Sequence, residues 1–510
     1  MNDSPLHVLS GRYPTPVIST GIAGLDDVLI GGLRSGHLYL FDGDPGTGKT
    51  TLGLQFLLEG VRVGEPVLYI TLSESERELR EVARSHGWTL EGVNIFELLP
   101  LEETLKVEEQ YTVLYPGEVE LSETLKSILK RVEEVRPKRI VFDSLSELRL
   151  LAREQLRFRR QVLALKQYFA GRDCTVLFLD DRTAGEDERD LQSIVHCVVR
   201  LESLARQYGS KRRRVEVLKF RGVKFREGYH DYNIRTGGIE LYPRLVAAEH
   251  RTTFPKRLIG SGIDELDALL GGGLNSGTST LVMGPAGAGK STVALLYATC
   301  AAEQGDRVYF MAFDEDVAMI RERLEGLGIH IDHLLQAGKL VIEIIDPSEI
   351  SPGQFVARCR EEVAAGASLV VIDSLNGFLA GMPSEEYLVM QLRELLAFLN
   401  NQGVTSIVVL AQHGILGQGM STPLDVSYLA DTVLLLRYFE SAGEVRQAVS
   451  VVKKRSGYHE RTIRELKFGT NGVHVGGPLA EFQGILTGVP TYTGAKGPLL
   501  SGADHEPDKR

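Results

Sequence analysis

One glycine-rich segment occurs twice in this chain at a fixed separation. Residues 21–50 align without a gap on residues 262–291, a displacement of 241 positions, and about half of the thirty positions are identical. The shared residues include Leu25-Asp26 against Leu266-Asp267 and Gly31-Gly32-Leu33 against Gly272-Gly273-Leu274. The two halves also end alike, with Lys219-Phe220-Arg221-Gly222 in the first and Lys453-Lys454-Arg455-Ser456-Gly457 in the second. Solenoid units repeat every 20–50 residues or so, and a period this long instead means two copies of one whole domain. The expected division is residues 1–246, 247–484 and a flexible loop and tail over 485–510. The boundary falls in the polar stretch 247–255, and the last ten residues carry no apolar periodicity.

Within each copy, short apolar runs alternate with amphipathic stretches. Residues 38–41, 67–70, 139–142 and 175–179 read as buried strands, whereas 50–62, 74–86 and 122–135 have helical spacing and charged faces. Strands that are apolar on both faces and separated by helices predict an α/β domain with a mostly parallel, helix-covered sheet. Composition fits such cores, at 43% hydrophobic and 25% charged over 510 residues. No apolar run reaches the ~18 residues of a membrane helix. The first residues lack the basic and apolar regions of a signal peptide. Cys174, Cys197, Cys300 and Cys359 show no metal or redox spacing, as expected of a reducing cytoplasm.

Both glycine-rich segments are P-loops in the required strand–loop–helix context. The first supplies Gly43, Gly46, Thr47, Gly48, Lys49, Thr50 and Thr51; the second supplies Gly284, Gly287, Ala288, Gly289, Lys290, Ser291 and Thr292. Glycines let backbone N–H groups turn inward around phosphates, and the lysine reaches the β- and γ-phosphates. The hydroxyl of Thr50 or Ser291 is suited to Mg²⁺, as are Asp143 and Asp373, which close the apolar runs Ile140-Val141-Phe142 and Val370-Val371-Ile372. Between the P-loop and that run, the intervening strand ends in Ser73-Glu74 in one copy and Asp314-Glu315-Asp316 in the other. A carboxylate there can activate an attacking hydroxyl or simply favour a helix start.

Together these features resemble the KaiC family, RecA-like tandem ATPases and autokinases of circadian clocks, over roughly residues 15 to 490. Ile18-Ser19-Thr20-Gly21-Ile22, His86-Gly87-Trp88, Phe142-Asp143-Ser144, Leu429-Ala430-Asp431-Thr432 and Phe482-Gln483-Gly484-Ile485 carry the resemblance beyond the P-loops. It implies a homohexameric double ring that binds ATP between subunits, hydrolyses it in the first ring and phosphorylates itself in the second. The family's paired catalytic glutamates correspond to Ser73-Glu74, where one carboxylate is missing, and to Asp314-Glu315. The basic pair that reaches a neighbour's γ-phosphate corresponds to Lys219 and Arg221, and to Lys453 and Arg455. The adjacent phosphoacceptors fall on Ser427 and Tyr428, with Tyr428 either an acceptor or a packed aromatic; Ser421-Thr422 lies six residues too early. A KaiB-like partner on the first ring follows by analogy. Residues 490–510 do not resemble the peptide that binds a KaiA-type activator.

Two other readings use the same core. A RecA-like motor on nucleic acid could use Lys211-Arg212-Arg213-Arg214 to contact phosphates, although the net charge of −11 argues against that partner. A nucleotide-gated scaffold would bind ATP in both rings without phosphorylating itself. Trp88 is expected to pack or to contact adenine, and Gln412 or His413 to sense the γ-phosphate.

Overall fold

The computed structural model describes residues 16–98, 116–152, 154–182, 188–205, 209–380, 387–412, 427–441, 443–469, 472–486 and 491–494. The chain divides into two compact units, Met1–Arg244 and Leu245–Arg510.

The first unit is built on β1 (Leu38–Gly43), α1 (Lys49–Arg62), β2 (Val67–Thr71), α2 (Glu76–Ser85), β3 (Val93–Glu97), α3 (Pro116–Val135), β4 (Arg139–Asp143), α4 (Gln155–Phe169) and β5 (Thr175–Asp181). It continues through β6 (Cys197–Leu204), β7 (Arg212–Phe220), β8 (Tyr229–Arg235) and β9 (Gly238–Tyr242). These strands form one nine-stranded sheet in the order β9-β8-β7-β6-β1-β5-β4-β2-β3. The six strands from β6 to β3 are parallel, and β7 to β9 extend the sheet antiparallel.

Alternation along the parallel strands explains the layering. Tyr39, Phe41, Tyr69, Val141 and Leu177 face α1, packing on Leu52, Phe56 and Leu57. Leu40, Leu68, Ile140, Phe142 and Phe178 face the other way, against Leu125 and Ile128 of α3 and Val162 and Leu165 of α4. Both faces are therefore dry, the condition under which parallel strands are stable.

The second unit repeats the plan with β10 (Ser279–Gly284), α5 (Lys290–Glu303), β11 (Arg307–Ala312), α6 (Val317–Glu325), β12 (Leu340–Ile344), β13 (Ala367–Asp373) and β14 (Thr405–Ala411). Then follow β15 (Thr432–Ser441), β16 (Glu444–Lys454), β17 (Arg464–Gly469) and β18 (Gly472–Pro478). Its sheet order, β18-β17-β16-β15-β10-β14-β13-β11-β12, matches the first strand for strand. The chain thus holds two tandem α/β domains, each a mostly parallel sheet covered by helices. No helix among the described residues is long and apolar enough to cross a membrane.

Two sequence expectations shift in detail. The second helix was expected over 74–86, but α2 begins at Glu76 because Ser75 caps it, with Ser75 Oγ accepting from Glu78 N and Glu78 returning the bond. Glu74 is thereby left in the turn before the helix. In the expected tail, Thr491–Tyr492 pairs with Phe482–Gln483 as a two-residue ladder.

Candidate functional site

Each parallel sheet brings its chemistry-bearing residues to the carboxyl ends of the strands, where open α/β sheets bind ligands. In the first domain Gly43 pairs in register with Asp181, and Asp143 pairs with Thr71. In the second, Gly284 pairs with Ala411 and Asp373 with Ala312. The central strand of each sheet runs directly into the P-loop and then into α1 or α5.

The loop geometry requires glycine at the helix entry. Gly48 and Gly289 have φ of +93° and +92°. A Cβ would lie 2.6 Å from Ile234 Cδ1 at Gly48 and 2.1 Å from Phe468 Cζ at Gly289. Thr47 is fully buried, its Oγ1 donating to Asp44 O at 2.7 Å while its carbonyl accepts from Tyr232 OH at 2.6 Å. Ala288 is as deeply buried in the second loop, and Tyr438 OH donates to Ala286 O at 3.2 Å beside Gly287.

Both P-loop lysines bend back over their loops. Lys49 Nζ donates to Gly43 O (2.7 Å) and Asp44 O (3.0 Å) and lies 2.9 Å from Asp181 Oδ1. Lys290 Nζ donates to Pro285 O at 2.7 Å, and burial lowers its pKa while Asp373 opposes that shift. Asp181 escaped the sequence reading; the second domain has Ala411 at that register position.

Thr50 Oγ1 donates to Asp143 Oδ2 at 2.8 Å, joining the end of β4 to the start of α1. Tyr69 OH donates to the same oxygen at 2.5 Å. Burial raises the pKa of Asp143, and these two bonds with the nearby Lys49 charge counteract it. In the second domain the residue matching Tyr69 is Phe310, which has no hydroxyl to give. Burial pushes Asp373 to about 6, with Ser291 and Arg323 pulling down and Glu315 and Asp314 pushing up. A hydroxyl and a carboxylate in contact are hard oxygen donors, a set that suits Mg²⁺. A cis peptide follows Asp143 and Asp373 alike.

The carboxylates after β2 and β11 differ between the domains. Glu74 is fixed through its backbone, N to Thr71 Oγ1 at 3.0 Å, and its Oε2 is buried with no hydrogen-bond partner among the described residues. Burial, then repulsion from Asp143, Glu78 and Asp181, pushes its pKa up to about 7. Asp314 Oδ2 accepts from Ser374 Oγ at 2.7 Å, and Glu315 is held by Arg323.

The remaining expected residues lie at the opposite ends of the strands. Arg221 N donates to His196 O (3.0 Å), and His196 N to Leu38 O (2.9 Å), which puts Arg221 at the amino end of β1. Lys219 Nζ donates to Val195 O at 3.0 Å and to Gln192 O, and Arg221 donates to Ser193 O. Burial, with Arg221 and Lys166 nearby, lowers the pKa of Lys219. In the second domain Lys453 Nζ donates to Ser427 O (2.9 Å) and Ala430 O (2.8 Å), and Arg455 donates to Tyr428 O (2.8 Å). Both basic residues therefore pack on the Ser427-Tyr428 segment. They stand about one strand length, ~15 Å, from the P-loop of their own domain. Tyr428 is half-exposed.

Three other expectations resolve locally. Trp88 packs against the core and lies against His86 at 4.8 Å between ring centres, whose Nε2 is 3.3 Å from Thr51 Oγ1. Gln412 bonds to Arg437, whereas His413, Ser421 and Thr422 lie outside the described residues. Arg212 pairs with Asp231 and Arg214 with Glu202, so the basic run is partly neutralised within its own sheet.

A family model described as "ATPase: KaiC" matches the chain twice, over residues 18–246 and 259–480. The circadian clock oscillator protein KaiC of Acaryochloris marina (strain MBIC 11017) is 27% identical over 486 residues, covering 93% of this chain and 91% of its own. The protein of that name from Thermostichus vulcanus is 27% identical, covering 93% and 92%. Circadian clock protein KaiC3 of Synechocystis sp. (strain ATCC 27184 / PCC 6803 / Kazusa) is 26% identical over 488 residues, covering 93% and 95%.

Proposed function

The chain belongs to the KaiC ATPase family, and from that premise we propose that its first domain hydrolyses ATP while its second transfers the γ-phosphate to Ser427 of a neighbouring copy. ATP binding follows from the family; the division of labour and the acceptor are our reading of the geometry.

In the first domain the P-loop N–H groups and Lys49 hold the phosphates. Glu74, poised near neutrality, takes the proton from the attacking water. Thr50 with Asp143, and Ser291 with Asp373, would hold Mg²⁺, which when bound neutralises charge on the phosphates during transfer. In the second domain Lys290 holds the phosphates and Asp314, oriented by Ser374, accepts the proton of the acceptor hydroxyl.

The observation that carries this reading is the placement of Ser427, Tyr428, Lys453 and Arg455 together at the amino ends of the second sheet's parallel strands, with Lys290 and Asp373 at the carboxyl ends. A side chain cannot span the ~15 Å of a strand, so an acceptor at the amino ends meets ATP only on another copy. We read the assembly as a closed ring of such copies, with the amino ends of one sheet facing the P-loop of the next; a homohexamer is what the resemblance implies. Lys453 and Arg455 then supply positive charge to the neighbour's γ-phosphate.

The test is to incubate the protein with Mg²⁺-ATP and locate phosphate by intact and peptide mass spectrometry. Phosphate on Ser427 that disappears in Lys290→Ala is the expected result. Measurable ADP release with no protein-bound phosphate would replace the autokinase by the nucleotide-gated scaffold.

A further inference from the structure

The two domains part company at the glutamate that follows their second sheet strand, and a residue outside the P-loops makes the difference. Glu315 Oε1 and Oε2 accept from Arg323 Nη1 at 2.8 Å and Nη2 at 2.5 Å. Arg323 stands in the last turn of α6, eight residues beyond Glu315, and both side chains are about 70% buried. The matching position of α2, displaced by 241, is Val82, which packs against the core of the first domain. Among the described residues no guanidinium pairs with Glu74, and one of its oxygens is buried without a partner.

A proton acceptor needs a lone pair aimed at the proton it takes. The planar fork of a guanidinium engages both oxygens of a carboxylate at once and fixes its plane. Glu74 is free to receive a proton; Glu315 is committed.

We propose that Arg323 is a positioning residue that withholds Glu315 from water activation and so suppresses ATP hydrolysis at the second site. The inference rests on the reading of Glu74 as the first site's base. In that step the water oxygen bonds to Pγ, and the bond from Pγ to the bridging oxygen breaks with its electron pair leaving on ADP. The water's proton passes to the glutamate carboxylate. With Glu315 clamped, the second site keeps only Asp314, engaged by Ser374 through one oxygen. The γ-phosphate is then retained for a protein hydroxyl.

The test uses the full chain carrying Lys49→Ala, so that turnover comes from the second site, with ADP release and protein-bound phosphate measured separately. Arg323→Gln is expected to raise ADP release at least about fivefold, a modest part of the 10²–10⁴ that a positioned base contributes. Arg323→Lys, which keeps the charge and loses the fork, is expected to give a smaller rise. Adding Glu315→Gln to Arg323→Gln is expected to return release to the parent rate. A folded Arg323→Gln with unchanged or slower release overturns the proposal, as does a double variant that stays fast. Should Arg323→Gln fail to fold, unchanged release in Arg323→Lys overturns it equally. The underlying reading fails separately, if Glu74→Gln in a Lys290→Ala chain hydrolyses ATP at the parent rate.

Discussion

Glu74 and Asp143 lie at the ends of neighbouring strands and are both pushed up by burial, yet only one is compensated. Asp143 receives hydrogen bonds from Thr50 and Tyr69, which favour its ionised form. Glu74 receives none at Oε2 among the described residues and is pushed up to about 7. As a base it must be deprotonated, so hydrolysis by the first domain is expected to fall about tenfold per pH unit below that value. Rates across pH 5–8 in a Lys290→Ala chain check this. The same shift has a stability consequence. A carboxyl whose folded pKa is raised loses stability as pH climbs from its unfolded value towards the folded one, and the full cost is present above it. Glu74→Gln is therefore expected to raise the melting temperature at pH 8 and to leave it unchanged near pH 4. Spacing marked Asp143 as the end of an apolar run but left Glu74 open between a proton acceptor and a helix start. It could not place Tyr69, which reads as one more apolar strand residue until its hydroxyl meets a carboxylate 74 positions away. Arg323 was hidden for a like reason: its charge looks like helix surface until α6 folds back over Glu315.

At the scale of elements, the glycine that opens α1 and α5 does two jobs. It takes a positive φ, and it makes room for Ile234 or Phe468, which come from the antiparallel end of each sheet. Gly289→Ala combines left-handed strain of about 1–3 kcal/mol with an overlap against Phe468. Its expected effects are a lower denaturation midpoint and loss of nucleotide binding by the second domain, read with a fluorescent ATP analogue in a Lys49→Ala background. In the first domain β1, β2, β4 and β5 and the helices α1 and α3 were legible from their two-faced and one-faced apolar patterns, whereas α4 and the antiparallel strands β7–β9 were not read. The start of α2 was less legible, since Glu74 and Glu76 both suit a helix start and the Ser75–Glu78 cap decides between them. Pairing order was beyond the pattern altogether. Nothing in the apolar runs says that β1 sits between β5 and β6, although that position brings Asp181 to Lys49.

At the scale of the whole molecule, the duplication in sequence is a duplication in topology, with identical strand order but unequal chemistry. The first domain has an ion-paired P-loop lysine and a glutamate without an ion-pair partner among the described residues; the second has Ala411 and a clamped Glu315. On these differences rests our proposal that one copy hydrolyses ATP and the other transfers its phosphate. Each domain also keeps its P-loop at the carboxyl ends of its parallel strands and its basic pair at the amino ends, which under our proposal makes phosphate pass between copies. The most direct measurement mixes two chains in the presence of Mg²⁺-ATP: Lys290→Ala, which retains Ser427, and Ser427→Ala, which retains the second P-loop. Transfer between copies predicts phosphate on Ser427 of the Lys290→Ala chain, appearing only after mixing and subunit exchange. The absence of phosphate from that chain in mixed assemblies, while the wild-type chain is phosphorylated, would contradict it.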